Sequence, residues 1–309
     1  MKTTGFKKWL VLPLVAVLAL TAGLAGCGES NGGAQTTSPT GTVDTLSGTL
    51  DIIGSNTVTP VSTRWAEEFM KLHKNVNITV AGPGSSAGIA ALINKTTTFA
   101  QSSRPIKQSE IDQAKANGVT VVETKVALDA LSVVVHPSNP VNTLTIEQLS
   151  DIYTGKVTNW SQVGGNKAPI VILSRDTNSG TYAYFLEEVV QKLIAGKQDK
   201  TLQYSTSAQL LPSTEVGITQ VAQNANAIFY SGLGYVTSAV KTLTIKKTAE
   251  SPAVAPTLAT AKDGSYPISR YLYYYTAGEP TGLTKAFIDY ALSTAGQKIV
   301  EEEGFVALK

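Results

Sequence analysis

"TLDIIGSNTVTPVSTRWAEEFMKL", Thr49 to Leu72, runs from an apolar, β-branched stretch through a glycine and hydroxyl turn into apolar residues at helical spacing. A strand that passes directly into an amphipathic helix is half of a βαβ unit. The following residues repeat the pattern, with "VNITVAG" (76–82) reading as a strand and "AGIAALI" (87–93) as a helix. The rhythm goes on through strands "VTVVET" (119–124) and "LSVVVHP" (131–137), helix "TIEQLSDIY" (145–153), strand "PIVILS" (169–174) and helix "GTYAYFLEEVVQKLI" (180–194). In that last helix Tyr182, Leu186, Val189 and Leu193 share one face. The spacing predicts an α/β fold. "YLYYY" (271–275) reads as a strand with alternating burial, and "LTKAFIDYALS" (283–293) as a closing helix.

Upstream of this body, Lys2, Lys7 and Lys8 precede the apolar run Trp9 to Leu20, which leads into "LAGC", Leu24 to Cys27. That is the pattern of a secretory leader, 1–26, with a lipidation motif at Cys27, which would be the first mature residue. Residues 27–48 are rich in Gly, Ser and Thr and read as a flexible tether with a root-mean-square span of roughly 25 Å. A body held near a membrane outside the cytoplasm is expected.

The full chain has 309 residues, 42% of them hydrophobic, enough for two packed domains. It carries 25 basic and 23 acidic residues; cleavage removes three lysines and leaves 22 against 23. No basic excess remains to draw nucleic acid. Cys27 is the single cysteine, so the mature body has no disulfide and no thiolate metal site. The two histidines, His73 and His136, are far apart and suggest no metal cluster; no cofactor is expected.

Three times a strand runs into glycine and hydroxyl residues and then into a helix: "IIGSNTV" (52–58), "VAGPGSSAG" (80–88) and "ILSRDTNSGT" (172–181). A helix start exposes unpaired N–H groups and the positive end of the dipole, and Ser, Thr and Asn add donors. Each junction alone is an ordinary N-cap. The third adds Arg175, whose planar donors suit a tetrahedral oxyanion, with Asp176 beside it to pin the guanidinium or take a ligand proton. "AQSSRP" (100–105), with Arg104, reads as a further contact loop.

A second reading is enzymatic. Gly84-Ser85-Ser86-Ala87-Gly88 matches G-x-S-x-G, with Asp129 and His136 following in hydrolase order, so Ser86 is a candidate nucleophile. Against it, His136 directly precedes Pro137, and the other anion-seeking junctions would have no role.

"GSNTVTP", "GPGSSAGIAAL", "SSRPIK", "LSDIYTGKVTNWSQVGG" and above all "RDTNSGT" resemble the phosphate-binding lipoproteins (PstS), the substrate-binding subunits of phosphate ABC importers, from Thr49 to the C-terminus. The resemblance implies a two-domain periplasmic-binding-protein-like clamshell of type II, with mixed sheets, helices on both faces and two hinge crossovers. It places one domain at 49–132 plus 241–309 and the other at 133–240, with crossings near Ser132 to His136 and Gly234 to Lys241. Carried over by position, Asn56, Thr57, the amide of Val58, Ser85 and Ser103 serve one domain; Arg175, Ser179, Gly180 and Thr181 serve the other. The implied function is non-catalytic: phosphate capture by hinge closure and delivery to a membrane permease by a lipid-anchored monomer. Some relatives have an aspartate at Ser103 to accept the proton of hydrogen phosphate, so sulfate or molybdate stays open as the oxyanion. Thr98, also an aspartate in relatives, is expected to be a structural change.

Overall fold

The computed structural model describes residues 46–191 and 198–308. The leader, Cys27 and nearly all of the tether lie outside the described residues, as does Leu193.

The first strand, β1 (Ser47–Gly54), starts two residues inside the stretch expected as tether, and Pro60 in the first turn of α1 (Thr59–Leu72) suits a helix start. Then follow β2 (Asn75–Ala81), α2 (Ser85–Ile93), β3 (Phe99–Ser102), α3 (Gln108–Ala116) and β4 (Val121–Val135). Beyond these come β5 (Thr143–Thr145), α4 (Ile146–Tyr153), β6 (Val171–Arg175), α5 (Gly180–Phe185), β7 (Gln209–Leu211), α6 (Thr214–Gln223) and β8 (Ala227–Gly232). The chain closes with β9 (Lys241–Thr242), β10 (Thr244–Lys246), α7 (Leu258–Lys262), β11 (Ser269–Ala277), α8 (Gly282–Leu292) and α9 (Thr294–Glu302).

Three of these elements differ from the sequence reading. The runs 119–124 and 131–137 are one fifteen-residue strand, β4, because the apolar residues between them, Val126, Ala127 and Ala130, keep it buried. The helix expected over 180–194 is α5 followed by a wider π-type turn, Leu186–Val190. And α8 does not close the chain, since Ser293 ends it and caps α9 by accepting from Gly296 N.

The main sheet is mixed, in the order β2-β1-β3-β11-β4-β8-β6-β7, with β9 also on β4. β4 joins its two halves: residues 121–130 pair antiparallel with β11, and residues 131–135 pair antiparallel with β8. Around β1 and β3 the sheet is covered on one face by α1, α8 and α9, through Trp65, Phe69, Phe287 and Val300, and on the other by α2 and α3, through Ile89, Leu92 and Ala114. "YLYYY" serves both covers: Tyr274 packs with Trp65 and Phe99, while Tyr273 and Tyr275 pack with Ile89 and Leu92. Around β6 and β8, α4 and α5 cover one face and α6 the other. Leu243, Ile245, Ala261, Tyr266 and Ile268 also pack in the α4 and α5 cluster, so 241–268 sits with that end of the sheet and β11 carries the chain back toward β3. Within 241–268, β10 pairs in parallel with β5, about a hundred residues earlier in the chain.

In open α/β sheets, ligands settle beyond the carboxyl ends of the strands, where the strand order reverses. Here the C-terminal ends of β1, β3 and β6 open onto one place.

Candidate anion-binding site

Asn56 and Thr57 follow β1, Ser103 follows β3, Ser85 starts α2, and Arg175 ends β6 ahead of Ser179, Gly180 and Thr181 at the start of α5. The structure brings these loops into contact. Thr57 Oγ1 and Thr181 Oγ1 are 3.0 Å apart, although 124 positions separate them. Ser85 Oγ accepts from Ser103 N at 3.1 Å and lies 3.4 Å from Ser103 Oγ. Gly180 rests against both: a Cβ there would overlap Ser85 Oγ and come within 2.8 Å of Ser103 Oγ. Only glycine permits that approach. Gly84, at φ +118°, lets α2 meet the Asp176–Asn178 turn, where Ser86 N donates to Asn178 O at 3.1 Å.

Arg175 is 2% exposed. Its Nη1 donates to Thr214 Oγ1 at 2.8 Å and Asn56 Oδ1 at 3.2 Å, Nη2 to Pro212 O at 3.0 Å, and Nε to Leu211 O at 3.3 Å. All these acceptors are neutral. Its one ion pair among the described residues is a 3.8 Å approach to Asp176, whose other oxygen accepts from Asn178 N at 2.8 Å. Burial lowers the Arg175 pKa from its ordinary value, with Asp176 and Tyr230 opposing that shift. Beneath it, Tyr230 Oη accepts from Arg175 N at 3.3 Å and meets Ser174 Oγ at 2.6 Å and Tyr204 Oη at 3.0 Å. Burial pushes the Tyr230 phenol up to about 12, so it stays a neutral support.

Two expected contacts have other partners. The amide of Val58 donates to Ser55 O at 3.2 Å, and its side chain is buried in the α1 core. Ser179 Oγ caps α5 by accepting from Thr181 N at 3.2 Å and Tyr182 N at 3.3 Å. A capping hydroxyl keeps its own proton free to donate outward.

Arg104 is not available as a contact. Its two terminal nitrogens grip Glu110 at 2.8 and 2.6 Å and reach Pro105 O and Ser86 Oγ at 3.0 and 3.2 Å. The hydrolase constellation does not assemble either: Ser86 Oγ faces Arg104, Asp129 is bound to Arg270, and His136 Nδ1 lies 2.7 Å from Ser138 Oγ at an exposed turn. No group of three His, Cys, Asp or Glu residues suited to a metal occurs among the described residues. Hollows of about 520 Å³ beside α4 and about 400 Å³ near Lys95 both lie away from the hydroxyl cluster.

Sequence reasoning missed Arg270 and Thr214. Arg270 interrupts the apolar run of β11 and Asp129 that of β4; they face each other in register, with Arg270 Nη2 at 2.9 Å from Asp129 Oδ2 and 3.0 Å from Thr181 Oγ1. The signal was present: a charge inside a strand that reads as buried needs an opposite charge.

Residues 39–295 match the model of the PBP superfamily domain. The chain is 32% identical to the phosphate-binding protein PstS of Pseudomonas aeruginosa, over 85% of this chain and 84% of that one. It is 33% identical to PstS of Staphylococcus saprophyticus, over 98% and 91%. Among solved structures, it matches a Clostridium perfringens substrate-binding protein assigned to a phosphate ABC transporter and solved with bound phosphate (TM-score 0.74, 33% identity, covering 85% of this chain and all of that one). It also matches an ABC-type phosphate transport receptor from Vibrio cholerae (TM-score 0.67, 29% identity, 83% and 99%). With an α/β architecture whose strand ends converge on hydroxyls and a guanidinium, and with this identity across most of its length, the chain belongs to the PstS family of the PBP superfamily.

Proposed function

We propose that this protein binds inorganic phosphate outside the cytoplasm and hands it to the permease of an ABC importer, without catalytic turnover. The observation that carries the reading is Arg175, a buried guanidinium surrounded by neutral acceptors. Its one counterion among the described residues, Asp176, stands 3.8 Å away and offsets the cost of burying the charge only in part, and a dianion among Thr57, Ser85, Ser103 and Thr181 would offset more of it.

Capture is a hinge motion between two lobes; the expected division, 49–132 plus 241–309 against 133–240, is redrawn as 46–130 with 269–308 against 131–268, because Leu243, Ile245, Ala261, Tyr266 and Ile268 pack with α4 and α5. The residues proposed to hold the anion are Asn56, Thr57, Val58, Ser85, Ser103, Arg175, Ser179, Gly180 and Thr181; Val58 and Ser179 do so by releasing or redirecting the bonds described above. The contacts between the lobes, Thr57 with Thr181 and Gly180 against Ser85 and Ser103, support reading this arrangement as the closed form. The leader is removed, Cys27 is lipidated, and a monomer works from the membrane surface on its tether. Among the described residues no helix is long and apolar enough to cross a membrane.

Isothermal titration tests the reading: phosphate should bind at one site, and Arg175→Ala should lose that binding. Absence of heat with wild type, or an unchanged Arg175→Ala, overturns it. A second reading rests on Ser103: a hydroxyl accepts the hydrogen phosphate proton less well than a carboxylate, so sulfate or molybdate is the competitor. Sulfate displacing phosphate at similar concentration would favour it.

A further inference from the structure

We propose that the Asp129–Arg270 pair is a positioning device for the anion site, acting through the hydroxyl of Thr181; this rests on the phosphate-binding reading. The two side chains are 0% and 1% exposed. They sit directly opposite each other on β4 and β11, the strands that carry the chain between the two ends of the sheet.

A buried ion pair is a poor source of stability, because desolvation cancels most of its Coulomb energy; orientation is a better reason for one. Here every atom of the carboxylate is engaged. Asp129 Oδ2 accepts from Arg270 Nε at 3.2 Å and Nη2 at 2.9 Å, and Oδ1 accepts from Leu233 N at 3.1 Å. The guanidinium is thereby fixed in plane, over the Tyr184 ring at 5.3 Å. From that position Nη2 donates to Thr181 Oγ1 at 3.0 Å, while Nη1 has no hydrogen-bond partner among the described residues.

A hydroxyl has one proton and two lone pairs. Guanidinium nitrogens never accept, so one Thr181 lone pair is permanently taken and its own proton is turned away from Arg270. The direction left leads to Thr57 Oγ1 at 3.0 Å, where the two ends of the sheet meet. Arg270 therefore turns the Thr181 proton, together with the remaining lone pair, toward the side an anion would occupy, and so positions the hydroxyl to donate there. Since Asp129 neutralises Arg270, the pair orients without adding net charge, unlike Arg175.

This separates two signatures. Removing a net cation flattens the salt dependence of anion affinity; removing a neutral orienting pair lowers affinity without changing that dependence. Asp129→Asn with Arg270→Gln removes both charges together and avoids stranding one in the core. In phosphate titrations, this double variant should bind about tenfold more weakly than wild type with an unchanged salt slope. Thr181→Val should lose a similar factor, and adding it to the double variant should cost no more than about twofold further, the non-additivity of groups acting as one unit. Arg270→Lys, which keeps the charge pair but not the fork, should fall between, and covers the case in which the double variant does not fold. Circular dichroism checks the fold of each.

Wild-type affinity in the folded double variant, or in Arg270→Lys if the double variant is unfolded, overturns the proposal and leaves phosphate binding standing. So does a full multiplicative loss on adding Thr181→Val. If wild type itself gives no phosphate signal, the phosphate reading fails and the proposal with it.

Discussion

Arg175 Nη1 donates to Asn56 Oδ1 across 3.2 Å, tying the end of β6 to the turn after β1, 119 positions away. Asn56 Oδ1 also accepts from Thr214 N at 3.2 Å, so one amide oxygen holds both the guanidinium and the start of α6. Asn56 aims Arg175 and draws the two ends of the sheet together.

Asn56→Ala should therefore weaken phosphate binding while leaving the fold intact. A hydrogen bond to a charged group is worth about 1.5–3 kcal/mol, and an affinity loss of roughly ten- to a hundredfold is expected by isothermal titration. The melting temperature without phosphate should move little, because Asn56 lies outside the cores around α1 and α4. A large fall in melting temperature with unchanged affinity would assign Asn56 to folding instead.

Gly180→Ala tests the close approach between α5 and the Ser85 and Ser103 hydroxyls. The added methyl overlaps Ser85 Oγ, so the loops must stand apart by the better part of an ångström. Overpacking of this kind costs about 1–3 kcal/mol, which here falls on the closed form alone. Phosphate affinity should drop roughly tenfold or more, and small-angle scattering in saturating phosphate should show a larger radius of gyration than wild type. Equal radii and affinities would show that the two sides do not close on each other.

The sequence made the α/β rhythm and the three hydroxyl junctions legible because both depend on local rules: strand and helix periodicity, and the residues that cap helices. Arg175 could be named for that reason; Thr57, Ser85 and Thr181 lie in those junctions, but it was the resemblance to PstS that singled them out. What it left open was non-local. The partner of Arg104 is Glu110, only six residues on, yet an exposed contact loop was an equally good reading of the same arginine. The placement of 241–268 depends on which apolar face its residues meet, and β10 finds β5 through register with Thr143–Thr145, which no pattern within 241–246 specifies. Arg270 was hidden by its surroundings and Asp129 was read only as a hydrolase acid: "YLYYY" and "LSVVV" read as plain core strands, and the pairing of the charges beside them appears only when β11 is laid against β4.

The Arg104–Glu110 pair gives a pH prediction. Burial by itself would raise the Glu110 pKa, but the hydrogen bonds from Arg104 and the Lys107 amide outweigh it and hold the group below its ordinary value. A carboxylate with a depressed folded pKa lends stability above its unfolded pKa of about 4.3, and that stability is lost as pH falls through the folded value. Glu110→Gln should be less stable than wild type at neutral pH, by about 2 kcal/mol, because it strands a buried guanidinium. Below about pH 4 the difference should shrink as wild-type Glu110 protonates. Urea melts across that range would check it; a difference independent of pH would contradict the assignment.

Lys107 Nζ and Glu187 Oε1 meet at 2.8 Å, one ahead of α3 and the other in the turn after α5, with side chains 46% and 41% exposed. The pair spans the same two ends of the sheet as Asn56 and Arg175, but in water rather than in a core. Exposed pairs are worth about 0.2–1 kcal/mol, so Lys107→Glu should weaken phosphate binding by no more than roughly fivefold, with the loss in the dissociation rate. The combined Lys107→Glu, Glu187→Lys variant should recover most of it. At about 1 M salt the Debye length falls to about 3 Å and both variants should converge on wild type. Stopped-flow dissociation at low and high salt distinguishes this latch from a contact that merely sits at the rim: a rim contact would give the same rate in all three proteins at every ionic strength.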